Sequence, residues 1–234
     1  MRASRGDPGQ RRVALEDAVT RSMLDAGRAV VRSPTDETLR VHNVETELIG
    51  AARDAPVVVV GARYDADDPS GAVLALAVMR ALSNERLYRP LRFVAFAAAG
   101  GSASYVERLR RDGTRVHAML SLVRVGLAPT RGHGGLLFLS NLRSRPIARA
   151  ARASFRGSSR VPALALALPS WLPGITSSDE VSFRRQGWPA LMVTERGRWR
   201  AGLDPTSVPL DVDRMAAAVP GLVAVLVRLA GGRG

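Results

Sequence analysis

The chain has 234 residues, of which 46% are hydrophobic and 24% are charged, and this composition excludes a disordered protein. It contains no cysteine, which excludes disulfides, thiolate metal ligands and a cysteine nucleophile. The 34 cationic side chains are all arginine and the formal net charge is +13, but they are spread along the whole chain and form no nucleic-acid-binding stripe.

The predicted elements begin after a basic segment, residues 1–12, which lacks apolar periodicity and is expected to be a disordered arm. Residues 13–234 are expected to form one domain, because no linker or break in composition divides them. In chain order we predict a helix over 13–31, strands over 38–48 and 57–62, a helix over 70–82, a strand over 91–97, a helix over 101–111, strands over 117–125 and 136–140, a helix over 145–155, a strand over 161–168, a helix over 177–185, a strand over 189–194 and a helix over 211–229.

Buried strands and helices alternate in this prediction, which is typical of an α/β fold with a largely parallel central sheet. The segment 57–62, VVVVGA, indicates a strand that is buried on both faces. No apolar run reaches the roughly 18 residues of a transmembrane helix, and no apolar leader follows the basic N-terminus. We therefore expect a cytoplasmic protein with no membrane partner.

Six segments, in order along the chain, carry a resemblance to a known family. They are HNVETEL, PVVVVGARYD, ADDPSGAVLALAVMRALS, RPLRFVAFAAAGGSASYVERL, SSDEVSFRRQGWPALMVTE and LDVDRMAAAVPGLVAVLVRLA. Together they resemble the zinc exopeptidases of peptidase family M twenty-eight, the aminopeptidase and glutaminyl-cyclase type. The resemblance implies a single three-layer α/β/α domain with a mixed, mostly parallel central sheet.

The resemblance also implies a site in which two zinc ions polarise a peptide carbonyl and supply hydroxide near neutral pH. The first ligand, a histidine in the family, falls on Arg63, and the bridging aspartate falls on Asp67. A guanidinium stays protonated and offers no lone pair, so Arg63 does not bind zinc. Asp67 has the side chain that the family's site requires.

Three further positions of the implied site lack a functional side chain. The family's general base falls on Ala99, its neighbouring glutamate ligand on Gly100, and another acidic ligand on Val123. The last ligand, a histidine before the final helix, has no counterpart, because none of the chain's three histidines lies after residue 133. Asp67 is thus the only remaining ligand-type residue, and a zinc site needs at least three protein ligands.

The acidic residues near the implied site have a simpler interpretation than a metal remnant. Asp67 and Asp68 precede the helix predicted over 70–82, where carboxylates cap free amides and meet the positive end of the helix dipole. An ion pair between Arg63 and Asp67, which would replace the metal with a salt bridge, is a further alternative.

A remaining substrate cleft would involve Asp65, Asp68, Asp179 and Trp199. Asp179 matches a position on the family's substrate side, although capping of its own short helix is the simpler interpretation. Trp199 falls in the region that shapes the family's substrate pocket, where it either lines a cleft or packs as an ordinary apolar side chain.

The leading hypothesis from the sequence is a catalytically inactive, aminopeptidase-like protein with a binding or structural role. It would use no cofactor, whereas active members of the family use zinc, and its partner would be a peptide or another protein. One alternative is an active metallo-aminopeptidase with a non-standard site. The other is a polyanion or nucleic-acid binder, which the dispersed arginines do not favour.

Overall fold

The computed structural model of the chain describes residues 8–36, 41–64, 68–97, 100–126, 134–172, 178–196 and 210–232. Its elements are, in chain order, α1 (Pro8–Asp25), β1 (Val31–Asp36), β2 (Val41–Leu48), β3 (Val57–Arg63), α2 (Ser70–Ala81), β4 (Leu91–Phe96), α3 (Gly101–Arg111), β5 (Val116–Leu122), β6 (Leu136–Asn141), α4 (Arg145–Ser158), β7 (Ala163–Leu168), α5 (Glu180–Arg185), β8 (Ala190–Glu195) and α6 (Val212–Leu229). Strands and helices alternate over most of the chain, as the apolar periodicity predicts.

All the described strands belong to one sheet with the order β1-β2-β4-β3-β5-β8-β6-β7. The central strands β4, β3, β5 and β8 are parallel to one another, whereas β2 is antiparallel to β4 and β6 is antiparallel to β8. Parallel strands require crossover connections. The helix α2 supplies the connection between the neighbours β3 and β4, and α3 supplies the one from β4 to β5 on the other side of β3. The predicted mixed, mostly parallel sheet is confirmed.

Helices cover both faces of the sheet and complete three layers. On one face, α1, α2, α4 and α6 pack on the larger core, which includes Val58 and Val60 of β3. On the opposite face, α3 and α5 pack on a smaller core that includes Val57 and Val59. Because successive side chains of a strand point to opposite faces, β3 needs apolar residues at every position, and its continuous valine run follows from this.

The N-terminal part of the chain differs from the prediction in two ways. α1 begins at Pro8, so residues 8–12 are helical rather than disordered. The helix ends at Asp25 instead of residue 31, because Gly27 adopts a left-handed φ of 71° that stops the helical hydrogen bonding. The chain then forms β1, an edge strand paired antiparallel with β2, where Pro34 is tolerated.

Other boundaries shift by a few residues. The strand predicted over 117–125 ends at Leu122, and the helix predicted over 177–185 begins at Glu180. β2 begins at Val41, and residues 37–40, which include the start of the predicted strand, lie outside the described residues.

The C-terminal helix α6 starts where the sequence predicts. The carboxylate of Asp211 accepts a hydrogen bond from the N–H of Arg214 at 3.0 Å, which caps the helix. Like the other described helices, α6 is too short or too polar to cross a membrane.

Candidate functional site

Three of the site positions that the resemblance implies lie at the C-terminal ends of the parallel central strands. Below, this end of the sheet is called its carboxyl edge, as distinct from the outer edge strands β1 and β7. Arg63 is the last residue of β3. Gly61 pairs with Ser121 of the parallel strand β5, and Val123 directly follows β5 at the same end of the sheet. Gly100 follows β4, which is parallel to β3, and directly precedes α3. The parallel register therefore brings Arg63, Val123 and Gly100 to the same edge.

Four other predicted site residues, Asp65, Asp67, Ala99 and Trp199, lie outside the described residues. The ion pair between Arg63 and Asp67 and the general-base position at Ala99 therefore stay predictions. Their chain neighbours Arg63, Tyr64, Asp68 and Gly100 are described.

Arg63 forms an ion pair with Asp179. Its Nε atom lies 3.5 Å from Oδ1 of Asp179, and the arginine side chain is 43% exposed whereas the aspartate side chain is 4% exposed. Alternate residues of β3 face the layer of α3 and α5, and Asp179 immediately precedes α5. The prediction that the Asp179 side chain caps this helix is wrong, since it makes no capping hydrogen bond. A positive charge thus stands at the position to which the sequence resemblance assigns the first zinc ligand.

The residue after Arg63 anchors the end of β3 to α1. The hydroxyl of Tyr64 donates to the carbonyl oxygen of His42 at 3.0 Å and lies 3.4 Å from Oε2 of Glu16. Glu16 also accepts the backbone N–H of His42 at 3.2 Å. The sequence analysis missed Glu16, although its spacing from Val19 and Met23 places a carboxylate on the buried stripe of α1.

The turn between β4 and α3 is held by Asn43, a fully buried residue of β2. Its Oδ1 accepts the N–H of Ala97 at 3.1 Å, and its Nδ2 donates to the carbonyl of Gly101 at 2.8 Å. Within this turn Gly100 has a left-handed φ of 78°. The position to which the resemblance assigns a glutamate ligand thus has a conformation that favours glycine.

Asp68 acts at the start of α2, as the simpler interpretation predicts. Its Oδ1 accepts the backbone N–H of Ser70 at 2.9 Å. The hydroxyl of Ser70 in turn accepts the N–H of Val125 at 3.1 Å. These two bonds join the start of α2 to the segment that follows β5.

A second buried carboxylate, Glu180, lies next to Asp179. Its Oε1 atom is 3.6 Å from NH1 of Arg184, one helical turn away. Burial raises the pKa of Glu180, and the charge of Arg184 and the hydroxyl of Ser178 oppose that shift. Arg184 is fixed by donation to the carbonyls of Ala190 and Leu139. The sequence analysis did not identify this pair, whose burial depends on how α5 packs.

Glu195 lies at the same sheet edge, at the end of β8. Its carboxylate accepts hydrogen bonds from Nε and NH2 of Arg214 at 3.1 and 3.2 Å and from the backbone N–H of Gly126 at 3.3 Å. Burial raises the pKa of Glu195, and the hydrogen bonds from Arg214 are the main opposing effect. These contacts join β8 and α6 to the segment that follows β5, so Glu195 has a structural role.

The sequence matches no protein-family model and no curated protein, but several solved structures have the same fold. The LapA aminopeptidase of Legionella pneumophila superposes with a TM-score of 0.77 at 18% identity, over 95% of this chain and 63% of LapA. BSAP, a zinc aminopeptidase from Bacillus subtilis, superposes with a TM-score of 0.66 at 18% identity, over 82% of this chain and 50% of BSAP. A leucine aminopeptidase precursor from Bacteroides thetaiotaomicron superposes with a TM-score of 0.67 at 11% identity, over 92% of this chain and 88% of the precursor.

The chain has the fold of the zinc aminopeptidases. At these identities the likeness concerns the fold alone, and the chain spans less than two thirds of the length of LapA and half of BSAP. The aminopeptidase fold agrees with the expectation from the six sequence segments.

The described part of this aminopeptidase fold does not fit a zinc site. It contains no group of three or more His, Cys, Asp or Glu residues placed to hold a metal ion. Arg63 offers donors but no lone pair, Gly100 has no side chain and Val123 is apolar. The donor chemistry at these three positions therefore disagrees with the metal that the fold implies.

Proposed function

We propose that this protein is a catalytically inactive relative of the zinc aminopeptidases that binds a peptide or a protein partner. The observation that carries the proposal is the ion pair between Arg63 and Asp179 at the carboxyl end of β3. A guanidinium at this point repels a divalent cation and cannot serve as its ligand.

The surroundings of Arg63 support the same proposal. Val123, which directly follows β5, brings an apolar side chain where the resemblance implies an acidic ligand. Gly100 brings none, and its left-handed φ disfavours a side chain at that position. These two positions and Arg63 are independent of one another, and each removes a ligand.

The role that remains is binding at the carboxyl edge of the sheet. The Arg63 side chain is 43% exposed although its Nε atom is engaged with Asp179. An exposed guanidinium recognises carboxylates, including those of a peptide. A peptide that binds here would be held without being cleaved, because these residues supply neither a metal-bound hydroxide nor a base.

Zinc content and aminopeptidase activity, measured together, test the proposal. Protein purified with added zinc and then dialysed is measured by elemental mass spectrometry, and hydrolysis of aminoacyl p-nitroanilides is followed with the Bacillus subtilis zinc aminopeptidase as the positive control. We expect zinc at the level of the dialysis buffer and no hydrolysis. Stoichiometric zinc together with hydrolysis that a chelator abolishes would overturn the proposal in favour of an active enzyme.

A further inference from the structure

The sheet ends at β7, whose outer edge pairs with no described strand. β7 is hydrogen-bonded to β6 on one side only. Its sequence, ALALAL, has no charge and no proline, and Leu164 is 38% exposed. Natural sheet edges are usually protected by charges, proline or bulges, because unpaired backbone groups attract another strand. The edge of β7 lacks these protections.

The register shows which backbone groups of β7 point away from the sheet. The ladder with β6 begins at the carbonyl of Pro162, so the alternate residues Ala163, Ala165 and Ala167 direct their N–H and C=O groups outward. The outward carbonyl of Ala163 accepts Nε–H of Arg152 at 3.1 Å. Within the described residues, no hydrogen bond is made by the outward groups of Ala165 and Ala167.

A groove of about 320 Å³ runs along this edge, between β7 and α4. Ala165 and Ala167 line it on the strand side, and Arg145 and Arg149 line it on the helix side. The small alanine side chains leave the groove open, whereas the two arginines are exposed and make it cationic. The groove thus combines free backbone groups with positive charge.

The helix beside the groove has an unusual charge distribution. α4 carries four arginines and no acidic residue in the sequence RPIARAARASFRGS. Arg145 occupies its first turn, at the positive end of the helix dipole, where a cation destabilises a helix. An anion bound between Arg145 and Arg149 would relieve this repulsion.

We propose that β7 and α4 bind an extended, acidic segment of a partner protein. The segment adds a strand to the sheet through the outward groups of Ala165 and Ala167, and its carboxylates pair with Arg145 and Arg149. Strand addition takes affinity from main-chain hydrogen bonds and specificity from alternate side chains. The site lies on the far edge of the sheet from β1 and does not depend on whether the protein binds zinc.

A second copy of the chain fits this edge less well. Antiparallel pairing of β7 with β7 of another copy places the two-fold axis perpendicular to the sheet, so both α4 helices lie on the same face beside the axis. Arg145 and Arg149 of both copies would then be neighbours with no acidic residue on either helix. Charge complementarity therefore favours an acidic partner.

Fluorescence anisotropy with two synthetic peptides tests this proposal on the full chain. The probe is a labelled, end-blocked heptapeptide of alternating glutamate and valine, and its counterpart replaces each glutamate with lysine. We expect the wild-type protein to bind the glutamate peptide, more weakly at high salt, and not to bind the lysine peptide. Failure to bind the glutamate peptide, or equal binding of both, overturns the proposal.

Variants separate the two parts of the site. The double variant Arg145→Glu with Arg149→Glu should weaken binding of the glutamate peptide by about tenfold or more. The control, Arg156→Glu with Arg160→Glu, makes the same charge change outside the groove and should keep most of the wild-type affinity for this peptide. Ala165→Pro removes one outward N–H and leaves the ladder with β6 intact, so the protein should fold and bind more weakly. An equal loss in the control variant would contradict a specific site.

Analytical ultracentrifugation of the wild type and Ala165→Pro tests whether a second copy of the chain occupies the edge of β7. We expect both to sediment identically in the absence of peptide. A dimer that Ala165→Pro dissociates would overturn the proposal and assign the edge to a second copy. None of these measurements depends on zinc, so their outcome is separate from that of the proposed function.

Discussion

Arg63 and Asp179 form an ion pair of unequal exposure, since the arginine side chain is 43% exposed and the aspartate side chain only 4%. The Arg63 side chain therefore keeps part of its hydration, whereas the Asp179 side chain is almost completely removed from solvent. Loss of the arginine leaves a buried anion without this counter-charge, whereas loss of the carboxylate leaves a cation that solvent reaches.

A double-mutant cycle should detect this coupling. We expect Arg63→Gln to lower the free energy of unfolding by about 1 kcal/mol, and to have little effect when Asp179→Asn is already present. Urea denaturation of the wild type, both single variants and the double variant measures the coupling energy. Strictly additive effects of the two substitutions would show that the pair contributes nothing to stability.

Gly100 should tolerate no side chain without a cost in stability. No atom lies within 4 Å of a Cβ built at Gly100, so the cost of Gly100→Ala comes from its φ of 78° rather than from a clash. We expect a loss of about 1 kcal/mol, measured by urea denaturation.

Gly157 provides the matched control for this prediction. It lies within α4, and a Cβ there also meets no atom within 4 Å, but its φ is not in the left-handed range. Gly157→Ala should therefore stabilise the protein, by up to about 1 kcal/mol. Effects of the same sign in the two variants would contradict the conformational explanation.

Glu180 should make stability depend on pH. Its pKa in the folded protein is raised above the ordinary 4.5 by burial, so the folded state retains a proton that the unfolded state releases. The sign follows: this group's contribution is fully present below pH 4.5 and is lost as pH rises through the folded pKa.

The variant Glu180→Gln should remove this loss and so have a flatter pH profile of unfolding free energy above pH 4.5. Urea denaturation at a series of pH values measures it. Glu107→Gln, which changes an exposed carboxylate on α3, should keep the wild-type profile. A Glu180→Gln profile identical to that of the wild type would mean that Glu180 titrates at its ordinary pKa.

A variant that restores the family's ligand types should acquire zinc. Arg63→His, Gly100→Glu and Val123→Asp together place three ligand side chains at the sheet edge where these positions meet, close in sequence to Asp67. We expect more zinc per chain than in the wild type by elemental mass spectrometry, with lower stability from the strain at Gly100.

The control for the zinc measurement carries the same residue types at exposed positions elsewhere: Arg53→His, Gly157→Glu and Val31→Asp. It should remain at the wild-type zinc level. Equal zinc contents in the restored variant and this control would show that the residue correspondence at Arg63, Gly100 and Val123 is wrong.

Local sequence patterns predicted most of the fold, because the patterns and the structure have the same periodicity. The valine run of β3 requires burial on both faces, and the apolar spacing of α2 and α6 requires a helix with one buried face. β1 was missed because an edge strand that contains Pro34 has weak alternation, and its pairing with β2 depends on a hairpin that local periodicity does not reveal.

The sequence by itself also determined what the candidate site lacks, since the side chains of Arg63, Gly100 and Val123 are set by residue type alone. Only the tertiary structure decided what these positions do. Among the described residues, Asp179 pairs with Arg63, and Asn43 and Glu16 hold this end of the sheet from β2 and α1. Such contacts join residues far apart in the chain, and their geometry follows from strand order and register, which no local pattern encodes.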